Sequence, residues 1–460
     1  MQIYLTILYL SYAVAGSALF LVWRRSLRAA AYIYVAGLIF LPVGLYPRLA
    51  PTQFPYWIVG SAWPSDMLVQ KGWIVPLVVL AGALVFGYRA YRSFRVTTWD
   101  AALLGWCLWP LCQSLMRPYA APAGWVASLY LLGSWGAPWL LGRMFFGSSE
   151  GRRELLHALV MVTLVLLPIA VIEGAIGPSV YSWLWHRPPF ADDGSLRYIG
   201  FRPLAMFENG NQYGIWLACA SLAAIGMTMR GDDKNIRFYR VSAFILCAMT
   251  LAAQSIGAIV LLGMGAILLK FRVLRTGLRK VLVPCAIAAL LGAGLYGSGA
   301  LRVETVSHWG PAQQIVGILK SVGRQSLSWR VMEDQKALPL IARSPIIGSG
   351  RWDWWRPLSS RPWGSPLLVI GHYGLIGFLL MGCALVGPII AAVFKPHSHR
   401  REDRYVLILL IVALVAIGDA LLNSFLFLPL IAISASLVSG SESGRGARAR
   451  SRGAPYKRAG

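Results

Sequence analysis

The sequence predicts an all-α, polytopic membrane protein of about 12–13 transmembrane helices, with a large, partly helical loop on its outer, periplasmic face. Three observations lead there. Of 460 residues, 57% are hydrophobic and only 13% charged, and the mean hydropathy is +0.60; a soluble domain needs more polar surface. The apolar residues fall in runs of about 20, the length that crosses a bilayer core as a helix. The Lys and Arg behind the net charge of +25 sit in short hinges between those runs, as the positive-inside rule requires. With no basic cluster on a soluble module, nucleic acid is excluded as a partner.

The first run, "MQIYLTILYLSYAVAGSALFLVWRR", has no basic residue ahead of its apolar stretch, so it reads as a retained helix rather than a cleaved signal. Further spans are predicted at 29–46, 72–88, 98–116, 125–142, 155–177, 211–229, 241–254, 256–269, 281–298, 366–394, 405–421 and 424–438. The hinges "RRSLR", "RAYRSFR", "GRMFFGSSEGRRE", "RGDDKNIRFYR", "KFRVLRTGLRK" and "KPHSHRRED", with the tail, hold most of the 43 Lys and Arg. They share one side if the spans alternate, and that side is assigned to the cytoplasm. Segments 241–269 and 405–438 have basic flanks at both ends, so each must go out and return as a helix pair. Their turns are placed at "QSIG" (254–257) and near Asp419 and Asn423. Thirteen spans with an outward N-terminus result. The chain then divides into residues 1–298, ten helices with an outer loop at 178–210; a large periplasmic loop, 299–365; C-terminal helices, 366–438; and a basic cytoplasmic tail, 439–460. The tail suits the anionic inner leaflet.

Chemistry concentrates in the two outer loops. Residues 299–365 hold nine Lys or Arg, among them Arg324, Arg330 and Arg361, against four acids, Glu304, Glu333, Asp334 and Asp353. Planar guanidinium forks match phosphate oxygens. Six tryptophans share the loop, including Trp352 and Trp355 in "RWDWWRP". Trp also anchors proteins at headgroup depth, but indole faces alternating with Arg and Asp suit a sugar, with its C–H face and hydroxyl rim. Loop 178–210 adds Arg202, Glu208 and, at the start of the next span, Asn211. The amides there can cap that helix, and Arg202 can face an anion at its N-terminus. Glu173, near the outer end of a span, is costly in lipid and expected to pair with an Arg. His372 stands just inside a long span, where a buried, hydrogen-bonded imidazole is the ordinary outcome. The six cysteines, at 107, 112, 219, 247, 285 and 383, lie in apolar stretches as small hydrophobes. No Asp-x-Asp or His-x-x-x-His lies on the outer face, so no metal or cofactor is expected.

Four stretches in order carry a resemblance: "FRPLAMFENGNQYG", "AAQSIGAIVL", "SLSWRVMEDQKALPLIARSPIIGSG" and "GLIG" at 374–377. From residue 150 onward the chain resembles the O-antigen ligase and O-antigen polymerase superfamily, membrane glycosyltransferases of the GT-C type. The third stretch is similar to that family's Arg-containing loop helix followed by Pro-x-x-Gly-x-Gly, and the fourth to glycines that open its next span. Two departures stand out. Ile256 replaces an Arg, and Trp363-Gly364 stands where ligases carry His and a small polar residue, eleven residues before the G-x-x-G. The resemblance implies transfer of a glycan from an undecaprenyl-diphosphate-linked saccharide to a hydroxyl, in a bacterial inner membrane, beside other polysaccharide-assembly and export proteins. Arg202 and Arg330 match the family's two arginines and are expected to hold the diphosphate, with Arg324 and Arg361 in support. Asp353 is the expected base, ahead of Glu208 and His372; Asn211, Trp352 and Trp355 complete the expected substrate site. The absent ligase His favours a polymerase joining lipid-linked repeat units. A ligase, or a transporter of lipid-linked oligosaccharide, is the alternative.

Overall fold

The computed structural model describes residues 2–23, 26–44, 55–60, 67–86, 94–116, 123–177, 180–185, 196–197, 199–229, 235–270, 326–358, 361–394 and 403–438, with short pieces of 287–317. Long apolar runs with no polar partner in lipid must satisfy their backbone internally, and they do so as helices. In chain order these are α1 (Gln2–Val22), α2 (Ser26–Phe40), α3 (Lys71–Phe86), α4 (Thr98–Met116), α5 (Gly124–Leu131), α6 (Ala137–Met144), α7 (Ser149–Ile176) and α8 (Val180–Leu184). After a hairpin of β1 (Leu196–Arg197) and β2 (Gly200–Phe201) come α9 (Gly210–Thr228), α10 (Ile236–Ala252), α11 (Ile256–Lys270), α12 (Ser326–Ile341), α13 (Ser365–Phe394), α14 (Asp403–Leu422) and α15 (Pro429–Val438). Four of them, α1, α7, α13 and α14, are long and apolar enough to cross a membrane by length and composition.

The predicted spans fall on helices wherever they lie in described residues. The two helices of the first return pair, α10 and α11, meet at 253–255, and α14 and α15 are joined by 423–428. The span at 281–298 and the tail lie mostly or wholly outside the described residues. Three boundaries differ. The second predicted span stops early, at Phe40, where Gly44 turns the chain at φ +119° and Val43 O accepts from Lys71 N at 3.3 Å. The fifth span is one helix across α5 and α6, widened by a π turn at Leu132–Gly136 where Gly133 lets Trp73 in close. The last begins at Pro429 rather than 424, proline suiting the first helical turn.

Polar side chains collect at the two ends of the bundle. At one end Arg28 Nε meets Glu154 at 3.1 Å, Arg143 Nε meets Asp100 at 3.1 Å and Arg152 Nη2 donates to Ser436 O at 2.8 Å. These are residues of the basic hinges. At the other end lie the N-termini of α3, α9 and α13, the C-terminus of α14 and the stretch 55–60. That stretch is buried and non-helical, and its carbonyls are claimed by aromatic donors: Tyr130 OH on Tyr56, Trp135 Nε1 on Trp57 and Tyr373 OH on Ile58. A buried carbonyl must find such a partner.

The longest helix, α13, is broken inside. Gly374 has φ +71°, and a Cβ there would sit 2.1 Å from Ile346 O. The broken backbone bonds are replaced from loop 343–350: Leu375 N and Ile376 N donate to Pro345 O and Ile346 O, while Ser349 N and Gly350 N donate to Gly371 O and His372 O. Gln113 of α4 donates to both Ile347 O and His372 O at 2.7 and 2.8 Å, and Trp109 to Tyr373 O at 2.7 Å. Gly374 therefore marks a break nine residues into the span; the expectation that these glycines open it is corrected.

Candidate functional site

Arg202 is buried in a corner made by the α9 N-terminus and the α10–α11 turn. Its Nη2 donates to Asn211 Oδ1 at 2.7 Å and its Nε to Ala253 O at 3.4 Å. Ser255 Oγ donates to the same Asn211 oxygen at 3.2 Å. Asn209 caps α9, accepting from Asn211 N and Gln212 N at 3.0 Å, a cap that contributes about 1 kcal/mol. Gly210 is a glycine because a Cβ would lie 2.1 Å from Arg202 Nε. The first two stretches of the resemblance are thus in contact. Backbone strain gathers here: among the described residues, Ala205 and Gln254 are the non-glycine residues with positive φ, at 51° and 52°, each a cost of about 1 kcal/mol or more. Glu173 holds the first of them. Its oxygens accept from Val180 N, Leu204 N and Ala205 N, so the carboxylate pins the loop backbone at the outer end of α7.

Beside this corner lies a buried ionic cluster. Lys71 Nζ stands 3.6 Å from Glu208 Oε1, both side chains 1% exposed. Tyr56 bonds Glu208 and accepts from Gln212 Nε2 at 2.7 Å. Arg361 is buried over the Phe425 ring at 5.4 Å and in electrostatic contact with Glu208. Burial holds Glu208 above the usual carboxylate range against the pull of Lys71, Tyr56 and Arg361, and it brings Arg361 down to about 10.

Arg330 of α12 continues the cluster across the end of α14. Its Nη1 donates to Asn423 Oδ1 at 2.7 Å and its guanidinium lies 5.2 Å from the Trp363 ring. Asn423 in turn donates to Asp419 at 2.7 Å, and Ser365 Oγ donates to Asn423 O at 2.7 Å. Burial lowers the Arg330 pKa, opposed by Asp419 and Asp334. Asp334 accepts from Trp363 N at 2.6 Å and from Gly364 N, capping α13; burial raises it to about 6. Arg202 and Arg330 thus belong to one end of the bundle, with Glu208 and Arg361 linking their surroundings. Each donates to a side-chain amide oxygen, which orients its guanidinium.

Other expected residues sit apart. Asp353 is buried between two guanidiniums, Arg351 Nε at 3.2 Å and Arg356 Nη2 at 3.2 Å. The ion pairs that fold this turn occupy the carboxylate that was expected to act as base. Trp355 is buried and meets Trp352 edge to face at 6.2 Å, so these rings pack on each other rather than forming an open platform. His372 is buried in α13, its ring against Tyr373 and its carbonyl held by Gly350 N and Gln113. Arg324 lies outside the described residues. Of the cysteines, Cys107 and Cys219 are buried, while Cys112 and Cys383 are exposed on the apolar flanks of α4 and α13. Among the described residues no group of three His, Cys, Asp or Glu is arranged to hold a metal.

Sequence reasoning missed Lys71, Tyr56 and Asp334 as members of this cluster. Lys71 carried a signal, a lone cation on the outer side at the head of an apolar run. Tyr56, in a loop of unassigned structure, carried none. No family model, no curated protein and no solved structure matches the chain.

Proposed function

We propose that the chain is a multi-pass membrane glycosyltransferase of polysaccharide-polymerase type. It passes a glycan from an undecaprenyl-diphosphate-linked donor to a hydroxyl of a lipid-linked repeat unit, without a metal. Thirteen spans, a periplasmic cluster and a cytoplasmic tail in a bacterial inner membrane go with this assignment. The observation that carries it is the gathering of Arg202, Arg330, Arg361 and Lys71 at one end of an otherwise apolar bundle. Cations gathered at a membrane boundary are costly and mark a functional site, and four of them against the nearby Glu208, Asp334 and Asp419 suit a bound anion.

In the reaction the acceptor oxygen forms a bond to the anomeric carbon as the bond to diphosphate breaks, the electron pair leaving on a phosphate oxygen. That leaving group is already good, so the protein's task is to hold its developing charge and align the acceptor. Arg202 and Arg330 are assigned to the diphosphate, oriented by Asn211 and Asn423. With Asp353 held by two arginines, we assign the acceptor proton to Glu208, the carboxylate in contact with Arg361 and kept basic by burial. Trp363 supports the polymerase reading: at the position of the ligase His it stacks on Arg330.

Proteoliposomes given lipid-linked repeat units and no other acceptor should produce a ladder of longer chains. Arg202→Ala or Arg330→Ala should reduce it by about 100-fold or more with insertion unchanged. Transport of unmodified lipid-linked oligosaccharide across the bilayer, with no elongation, would replace this reading with a transporter.

A further inference from the structure

A second polar recess lies away from the buried cluster, under the "RWDWWRP" turn. It is a cavity of about 530 Å³ between the C-terminal end of α12 and residues 343–357, within the range of small-ligand sites. Its floor is apolar, with Leu340, Ile341 and the edge of Trp354, which packs against Gly371 of α13. Its rim carries three guanidiniums, Arg343, Arg351 and Arg356. Asp353 accounts for two of these by direct ion pairs, and Arg343 has no carboxylate partner among the described residues. The lining therefore carries an excess of two positive charges.

We infer that this cavity is a saccharide subsite selective for an acidic sugar, with Arg343 as the residue that reads its carboxylate. This rests on the transferase reading above and deepens it, since it assigns the class of repeat unit: a glycan carrying uronate or an equivalent sugar acid. The apolar floor and indole edge meet the C–H face of a pyranose. Arg351 and Arg356, already fixed by Asp353, are pre-set donors for its hydroxyls. The free fork of Arg343 supplies the bidentate partner that a carboxylate prefers over a point charge.

The test uses the full-length protein in detergent with short oligogalacturonates, with their carboxyl-reduced neutral counterparts, and with phosphatidylglycerol vesicles as competitor. Oligogalacturonates should bind at least about 10-fold more tightly than the reduced sugars, the worth of one well-made charged hydrogen-bond pair. Arg343→Gln should erase that difference while leaving the weak binding of the neutral sugars unchanged. Arg343→Lys should restore only part of it. Equal affinity for acidic and reduced sugars, or an unaltered preference in Arg343→Gln, would overturn the assignment. Full displacement by the vesicles would overturn it too, in favour of a lipid headgroup. The preference is read as binding, so a protein that binds acidic sugars but never elongates them sinks the polymerase reading alone. Elongation of neutral repeat units as fast as acidic ones sinks the subsite alone.

Discussion

At the scale of single residues, what matters is which atoms orient a charge and which merely fill space. Gly210 separates the two. An added methyl would press on Arg202 Nε and Cζ, at 2.1 and 2.5 Å, and these are the far end of a flexible side chain that can swing away. Ala is also a better helix former than Gly by up to about 1 kcal/mol. Gly210→Ala should therefore leave thermal stability unchanged or slightly raised while chain elongation falls about 100-fold, the usual result of displacing a group by about 1 Å. Parallel loss of stability and activity would mean that the glycine serves packing alone. Asp334 gives a residue-scale prediction of a different kind. Burial raises its carboxyl from the usual 3.8 to about 6, so the folded state holds the proton more tightly than the unfolded one. Docking of α12 on the start of α13 is therefore weaker when Asp334 is charged and strengthens as pH falls from above 6 toward 4. Hydrogen exchange at the Trp363 and Gly364 amides, corrected for its intrinsic pH dependence, should slow from pH 7 to pH 5. In Asp334→Asn that change should vanish.

At the scale of elements, the break in α13 shows how two sequence motifs become one structure. Loop 343–350 supplies donors and acceptors for the bonds that Gly374 interrupts, and Gln113 ties both strands of backbone to α4. A Cβ on Gly374 would meet the backbone of Ile346, Ile347 and Gly348 within 2.5 Å, and backbone so pinned cannot retreat. Gly374→Ala should cost about 3 kcal/mol or more, seen as a large drop in the unfolding midpoint in detergent. Gly263→Ala in α11, where nothing lies within 4 Å, should be neutral or stabilising and serves as the comparison. The helices themselves were legible, because about 20 apolar residues in lipid have one low-energy backbone; α4 matches its predicted bounds, 98–116. The break was not, because a glycine within an apolar run carries no mark of the distant loop that completes it. The site was legible in part. Arg202 with Asn211 could be read from a cap-rich stretch before a span, and Arg330 from its loop helix. Tyr56 and Lys71 join them only through contacts across 137 to 152 residues of chain, from 56 or 71 to 208, for which local pattern holds no information. The ion pairs of Asp353 with its sequence neighbours Arg351 and Arg356 depend on how the turn folds, which residue pattern alone does not show.

At the scale of the whole molecule, the two ends of the bundle differ in what their charges do. Near Arg28, Arg143 and Arg152 the described cations meet Glu154, Asp100 and a helix C-terminal carbonyl. Near Arg202, Arg330 and Arg361 they meet amide oxygens and aromatic rings as well as the fields of Glu208, Asp334 and Asp419. By the positive-inside rule the first end, with its short basic hinges, is expected to face the cytoplasm. The net positive loop at 299–365 does not oppose this, because long loops translocate largely regardless of charge. The orientation is open to a direct measurement. In a protein whose cysteines are replaced by alanine, Ala342→Cys lies exposed at the site end and Glu150→Cys exposed at the hinge end. A membrane-impermeant maleimide added to intact spheroplasts should label Ala342→Cys at once and Glu150→Cys only after lysis. Because the two positions sit at opposite ends of the same bundle, labelling of both before lysis would mean that these ends do not face opposite sides of the bilayer. The reverse pattern would place the cationic cluster in the cytoplasm and count against the proposed transfer on the outer face.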